Sequence, residues 1–113
     1  MPDELDIGSG CDGLLNSPRA VHSEERGTLY LLWGRCRAEV SYYELYRSEK
    51  SGFSGEDAEI IAKVEPEEYV VGRYVDRGLA DSTRYYYRVR AVGKDGRRGR
   101  LSAEFSARTI GVR

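Results

Sequence analysis

The chain is poor in the side chains that most often carry chemistry. Its 113 residues include one histidine, one methionine, one tryptophan and two cysteines. A lone histidine, His22, with no serine or cysteine in a nucleophile-elbow setting, argues against general acid–base or nucleophilic catalysis. The carboxylate pairs Glu56-Asp57 and Glu67-Glu68 fall in loop-like segments. They lack the apolar shielding that raises the pKa of a glycosidase acid. The Asp/Gly-rich stretch Asp6-Ile-Gly-Ser-Gly-Cys-Asp-Gly13 has neither the ligand series nor the closing glutamate of an EF-hand, so no metal is expected, and no cofactor motif is present. No apolar run approaches the ~20 residues that cross a membrane as a helix. The acidic start, Met1-Pro-Asp-Glu-Leu-Asp6, lacks the basic and apolar regions of a signal peptide.

What is present describes a scaffold. The length suits one domain with one core. Apolar residues make up 40% and charged residues 33%, the balance of a folded soluble domain rather than a disordered one. Nine tyrosines stand against two phenylalanines, which suits strands with one wet face, where the ring packs and the hydroxyl reaches out. Thirteen glycines and few strong helix runs favour short strands joined by turns. Charge is uneven: residues 1–68 hold 7 basic and 15 acidic side chains, residues 69–113 hold 11 and 4. Either the halves complement one another across adjacent strands, or the second half presents a basic patch to an anionic partner.

Periodicity orders the chain. Residues 1–16 read as a leader or linker. An edge strand over 17–21 tolerates Pro18. Leu29, Leu31 and Trp33 alternate with Tyr30 and Leu32, a strand with the first set inward. After a loop over 34–39, Tyr43 and Leu45 alternate with Tyr42, Glu44 and Tyr46. Turn residues 51–55 precede strands over 60–64 and 69–75, and residues 76–78 turn again. The sixth strand is the clearest: Tyr85, Tyr87, Val89 and Ala91 face one way, Tyr86, Arg88, Arg90 and Val92 the other. Lys94-Asp95-Gly96 is a tight-turn signal, and 101–110 supplies the last strand. Seven evenly spaced strands without a helix predict an all-β, seven-stranded antiparallel β-sandwich.

Four separated segments, Leu29-x-Leu-x-Trp33, Tyr43-x-Leu-Tyr-Arg47, Leu79-x5-Tyr85-x-Tyr-x-Val-x-Ala91 and the Gly-x-x-Gly loop that follows, resemble a fibronectin type III domain over residues 17–110. The resemblance implies an immunoglobulin-like sandwich with Trp33 between the sheets, Leu79 plugging the core, and Tyr85 bonding backbone near Leu79 as a tyrosine corner. Tyr87 and Val89 would lie inside. Asp81 stands where the family often has proline, and Arg47 interrupts an inward row, so its stem is expected over the core rim. The flavour of the sixth strand resembles modules appended to secreted bacterial carbohydrate-active enzymes.

The same resemblance sets the site expectations. Cys11 and Cys36 would share one end of the domain and form a disulfide in an oxidising compartment, or remain free. Arg35 and Arg37 would share that end with Lys94, Arg97, Arg98 and Arg100, either as solvated loops or as a site for an acidic partner. Outward Tyr42 and Tyr46 would neighbour Tyr86, Arg88 and Arg90. They form a cross-strand ladder with a Glu44–Arg88 pair, or a platform for a sugar or neighbouring domain. The basic loop lacks the aromatic interleaving of a nucleic-acid groove. The expectation is a non-catalytic, monomeric spacer or docking module, with residues 111–113 as a tail, inside a larger extracellular, bacterial glycan-processing protein. The alternative is an autonomous protein- or carbohydrate-binding module without membrane insertion.

Overall fold

The computed structural model describes residues 18–34, 40–54, 58–66 and 72–111. Among them lie seven strands and no helix: β1 Arg19–His22, β2 Leu29–Trp33, β3 Val40–Ser48, β4 Glu59–Val64, β5 Gly72–Asp76, β6 Arg84–Gly93 and β7 Phe105–Arg108. They form two antiparallel sheets, a three-stranded one in the order β1-β2-β5 and a four-stranded one in the order β4-β3-β6-β7.

Strand periodicity builds the core directly. Leu29, Leu31 and Trp33 from β2 meet Tyr43, Leu45, Tyr87, Val89 and Ala91 from β3 and β6, all at 1% exposure or less. Each large apolar side chain so buried contributes about 1.5–3 kcal/mol relative to exposure. Trp33 packs edge-on against Tyr43, with centroids 5.7 Å apart, and Tyr87 stacks on Phe105 at 5.7 Å. Gly72, the register partner of Trp33, gives the indole its space, because a Cβ there would collide with Nε1. Leu79 packs, partly buried, against this cluster.

Polar groups fasten one pole of the sandwich. Asp76, at the end of β5, is 3% exposed. Its carboxylate accepts a hydrogen bond from the Tyr87 hydroxyl at 2.7 Å and from Arg47 Nη1 at 2.9 and 3.1 Å, so one acid joins the two sheets. Arg47 also lies over the Tyr85 ring, 5.8 Å from its centroid. The Ala80 N–H donates to the Tyr85 hydroxyl at 3.0 Å, closing the β5–β6 connection as a tyrosine corner. Thr109 fixes the end of β7 to that corner, donating to the Ala80 carbonyl at 2.6 Å. Arg26 and Asp81 pair at 2.6 Å and tie the β1–β2 turn to the same loop, so the acid in place of proline has a partner of its own. Gly27, at φ 66°, turns close beneath Leu79; a Cβ there would lie 2.7 Å from the Leu79 carbonyl oxygen.

Several boundaries differ from the sequence expectation. Asp76 belongs to β5, not to a turn, because it pairs with Leu29 and its side chain is held inside. The first strand begins at Arg19. The last strand is only Phe105–Arg108, whereas 101–110 was expected. Before it the chain follows β6 irregularly: the Gly99 N–H reaches the Ala91 carbonyl, and Ser102 exchanges backbone and hydroxyl bonds with Val89. Such an irregular edge discourages pairing with another chain.

Candidate functional site

The outward rows of the four-stranded sheet hold five of the candidate binding residues, Tyr42, Tyr46, Tyr86, Arg88 and Arg90. In this register Glu44 is opposite Arg90, and Tyr46 is opposite Arg88. The expected Glu44–Arg88 pair is therefore displaced by one rung. Glu44 instead faces two other arginines: Arg98 Nε donates to Oε1 at 3.2 Å and Nη2 to Oε2 at 3.4 Å, while Arg90 Nε stands 3.8 Å away. The Tyr46 hydroxyl donates to the same Oε1 at 2.9 Å. Glu44 is only 1% exposed although it sits on the outer face, because these long side chains roof it over. Burial, and then the hydrogen bond to Glu44, push the Tyr46 phenol upward. The Glu44 charge, and then its hydrogen bond, raise Arg98.

The two outward tyrosines of β3 each lie beneath a cation. Tyr46 is 3% exposed, with the Arg90 guanidinium 5.1 Å from its ring centroid. Lys63, opposite Glu44 on β4, stands 5.2 Å from the Tyr42 ring centroid. Cations cap both rings. Arg88 is engaged elsewhere, donating to the Ser102 carbonyl at 3.0 Å and lying 5.5 Å from the Phe53 ring. Phe53 is buried, and beside it the Ser51 hydroxyl and Gly52 N–H both donate to Glu104. The segment after β3 thereby covers the outer face beside Arg88. Tyr86 is half-buried farther down β6, opposite Ser48.

The four basic residues after β6 do not act as one cluster. Arg97 is held by Asp95 at 2.7 Å within the turn. Arg98 leaves the turn, bridges to Val92 and lies on the sheet against Glu44. Lys94 and Arg100 are exposed. Arg35, Arg37, Cys11 and Cys36, with the expected disulfide, lie outside the described residues. Lys63 and the central part played by Glu44 were not anticipated. The signal was present in part, since both are strand residues of the outward period, but their pairing required the register.

The outer face of the three-stranded sheet is different. A shallow groove there is lined by Val21, Tyr30, Leu32 and Val75, with Val21 43% and Tyr30 41% exposed. His22 is exposed on β1. Among the described residues no group of histidine, cysteine and acids is arranged to hold a metal, and no helix is long and apolar enough to cross a membrane.

No protein-family model matches the sequence, and no curated protein is similar to it at a significant level. Solved structures are similar. A Fn3-like protein from Clostridium thermocellum has a TM-score of 0.67 at 29% identity, over 85% of this chain and 94% of that one. The sixth fibronectin type III domain of human fibronectin type III domain containing protein 3 reaches 0.68 at 21% identity, over 93% and 91%. A β-1,2-glucanase from Parabacteroides distasonis reaches 0.63 at 23% identity, over 88% of this chain but 14% of that one. With its three-plus-four strand order, its inter-sheet tryptophan and its tyrosine corner, the chain has the fibronectin type III fold.

Proposed function

We propose that this domain performs no chemistry and serves as a spacer and docking module in a larger extracellular, bacterial glycan-processing protein. The direction of the chain through the fold carries this reading. β1 starts at the pole of Leu32 and Trp33, and β7 ends at the opposite pole beside Arg84. Neighbours joined at the two ends are kept apart by the long axis of the sandwich, about 33 Å for the ten residues of β6. The Thr109 and Tyr85 bonds make the exit stiff, so the angle is held as well as the distance. The interior acid Asp76 is committed to Arg47 and Tyr87, and Glu44 to Tyr46 and Arg98, which supports a structural use of both. Likeness to a segment forming 14% of a β-1,2-glucanase, and to a Fn3-like protein of Clostridium thermocellum, supports a bacterial glycan-acting parent.

The test is a fusion of fluorescent proteins to the two ends of the chain. A single narrow transfer efficiency, broadened when a Gly/Ser linker of equal residue count replaces the domain, is expected. A distribution as broad as the linker's, or turnover of any substrate in a panel of polysaccharides, overturns the reading.

A further inference from the structure

The outer face of the four-stranded sheet near the β6–β7 connection carries more positive charge than it neutralises. Two arginines, Arg90 and Arg98, converge on the single carboxylate of Glu44. Lys63 adds a third cation on the same rung. Exposed Lys94 and Arg100 stand in the connection at the end of this face. Of the two acids in that connection, Asp95 is bonded to Arg97, and Glu104 accepts hydrogen bonds from Ser51 and Gly52. Arg90 Nε is buried and finds no hydrogen-bond partner, although it lies 3.8 Å from Glu44. The excess is therefore fixed in place: Glu44 and the rings of Tyr42 and Tyr46 hold the cations in a layer against the sheet. Cations aligned above a low-dielectric wall focus the field toward an anion.

We propose that this face binds a carboxylate-bearing polysaccharide, such as a uronic-acid polymer. The guanidinium fork matches a carboxylate in geometry and in charge. Three features select this occupant. Lys63 and Arg90 flank Glu44 across three adjacent strands, an open-sheet arrangement that suits repeated weak contacts to an extended chain. Both nearby rings are capped by cations, which leaves no free stacking platform for the bases of a single-stranded nucleic acid. The exposed apolar side chain on this part of the sheet is Ile60 alone among the described residues, at its margin, whereas a protein interface is built around buried apolar or aromatic anchors. The inference is independent of the spacer reading: the fusion experiment has no bearing on it, and the following one has none on the spacer.

The test is affinity electrophoresis and calorimetry of the whole chain with polygalacturonate, against dextran, polyglutamate and single-stranded DNA. Retention by polygalacturonate that weakens with added salt is expected. Lys63→Gln/Lys94→Gln/Arg100→Gln should weaken it by about tenfold or more, while Arg19→Gln/Arg77→Gln/Arg84→Gln, of equal charge change elsewhere, should alter it by less than about twofold. All six positions are exposed, and thermal melts of both variants verify folding. Glu44→Gln, which frees Arg90 and Arg98, should tighten binding. No retention, equal retention by dextran, equal losses in the two triple variants, or tighter binding of polyglutamate or DNA would each overturn the proposal.

Discussion

Tyr87 donates its hydroxyl hydrogen to Asp76 across the interior at 2.7 Å, and the two residues belong to different sheets. Burial, and then this hydrogen bond, push the Tyr87 phenol far above its ordinary value. A raised phenol contributes stability that is fully present below the unfolded value near pH 10 and is lost as pH rises beyond it. Alkaline denaturation should therefore be shallower in Tyr87→Phe, by up to about 1.4 kcal/mol per pH unit above pH 10. At neutral pH the same variant should lose about 1–2 kcal/mol, and Asp76→Ala, which leaves Arg47 without its main partner, about 3–5 kcal/mol in urea titrations.

Trp33 and Gly72 share one space. Gly72→Ala should cost about 1–3 kcal/mol or more and shift the tryptophan emission, because the new methyl enters the indole's position. In a Trp33→Leu background the same substitution should cost less. Additive losses in this double-mutant cycle would show that the collision is not the cause.

Removal of the corner hydroxyl leaves the Ala80 N–H without its partner. Tyr85→Phe should lower stability by about 1–1.5 kcal/mol and speed amide exchange at Ala80, while leaving the β2 amides protected.

The Arg26–Asp81 pair gives the fold an acid-sensitive clasp. The hydrogen bond from Arg26 holds the Asp81 carboxyl below the usual range. A depressed carboxyl contributes stability above its unfolded value, near pH 4, and loses it as pH falls through the folded value. Asp81→Asn should accordingly show a weaker dependence of melting temperature on pH between about 5 and 2 than the parent chain. Identical slopes would mean that the pair is too exposed to matter.

Glu44→Gln replaces the charge beneath Arg90 and Arg98 while keeping the shape. Both arginines reach solvent, with side-chain exposures of 19% and 58%, so the expected loss is about 1–3 kcal/mol rather than the larger cost of an enclosed pair. The tyrosine absorbance titration should move with it, since Glu44 accepts a hydrogen bond from the Tyr46 hydroxyl.

Much of this was readable from the chain. Alternation along β2, β3 and β6 assigns inward and outward rows, because a pleated strand turns every second side chain to the same face. What it could not assign was the fate of polar residues within those rows. Glu44 was legible as an acid within a strand, whereas Asp76 read as a turn residue. One is sealed on the outer face by Arg90, Arg98 and Tyr46, the other inside by Arg47 and Tyr87. A shift of one rung in register was enough to exchange Arg88 for Arg90 as the neighbour of Glu44.

The sequence by itself determined the class of object: period-two patterning and turn chemistry, which act over a few neighbouring residues, specify a two-layer β-sandwich, and the resemblance carried by four separated segments adds its central tryptophan and its tyrosine corner. Tertiary structure alone decided which charges meet. Arg26 finds Asp81 from 55 positions away, Arg98 finds Glu44 from 54, and Arg47 finds Asp76 from 29. Those partners are set by strand order, register and the closing of two sheets, and it is those pairings that leave a surplus of cations on one face.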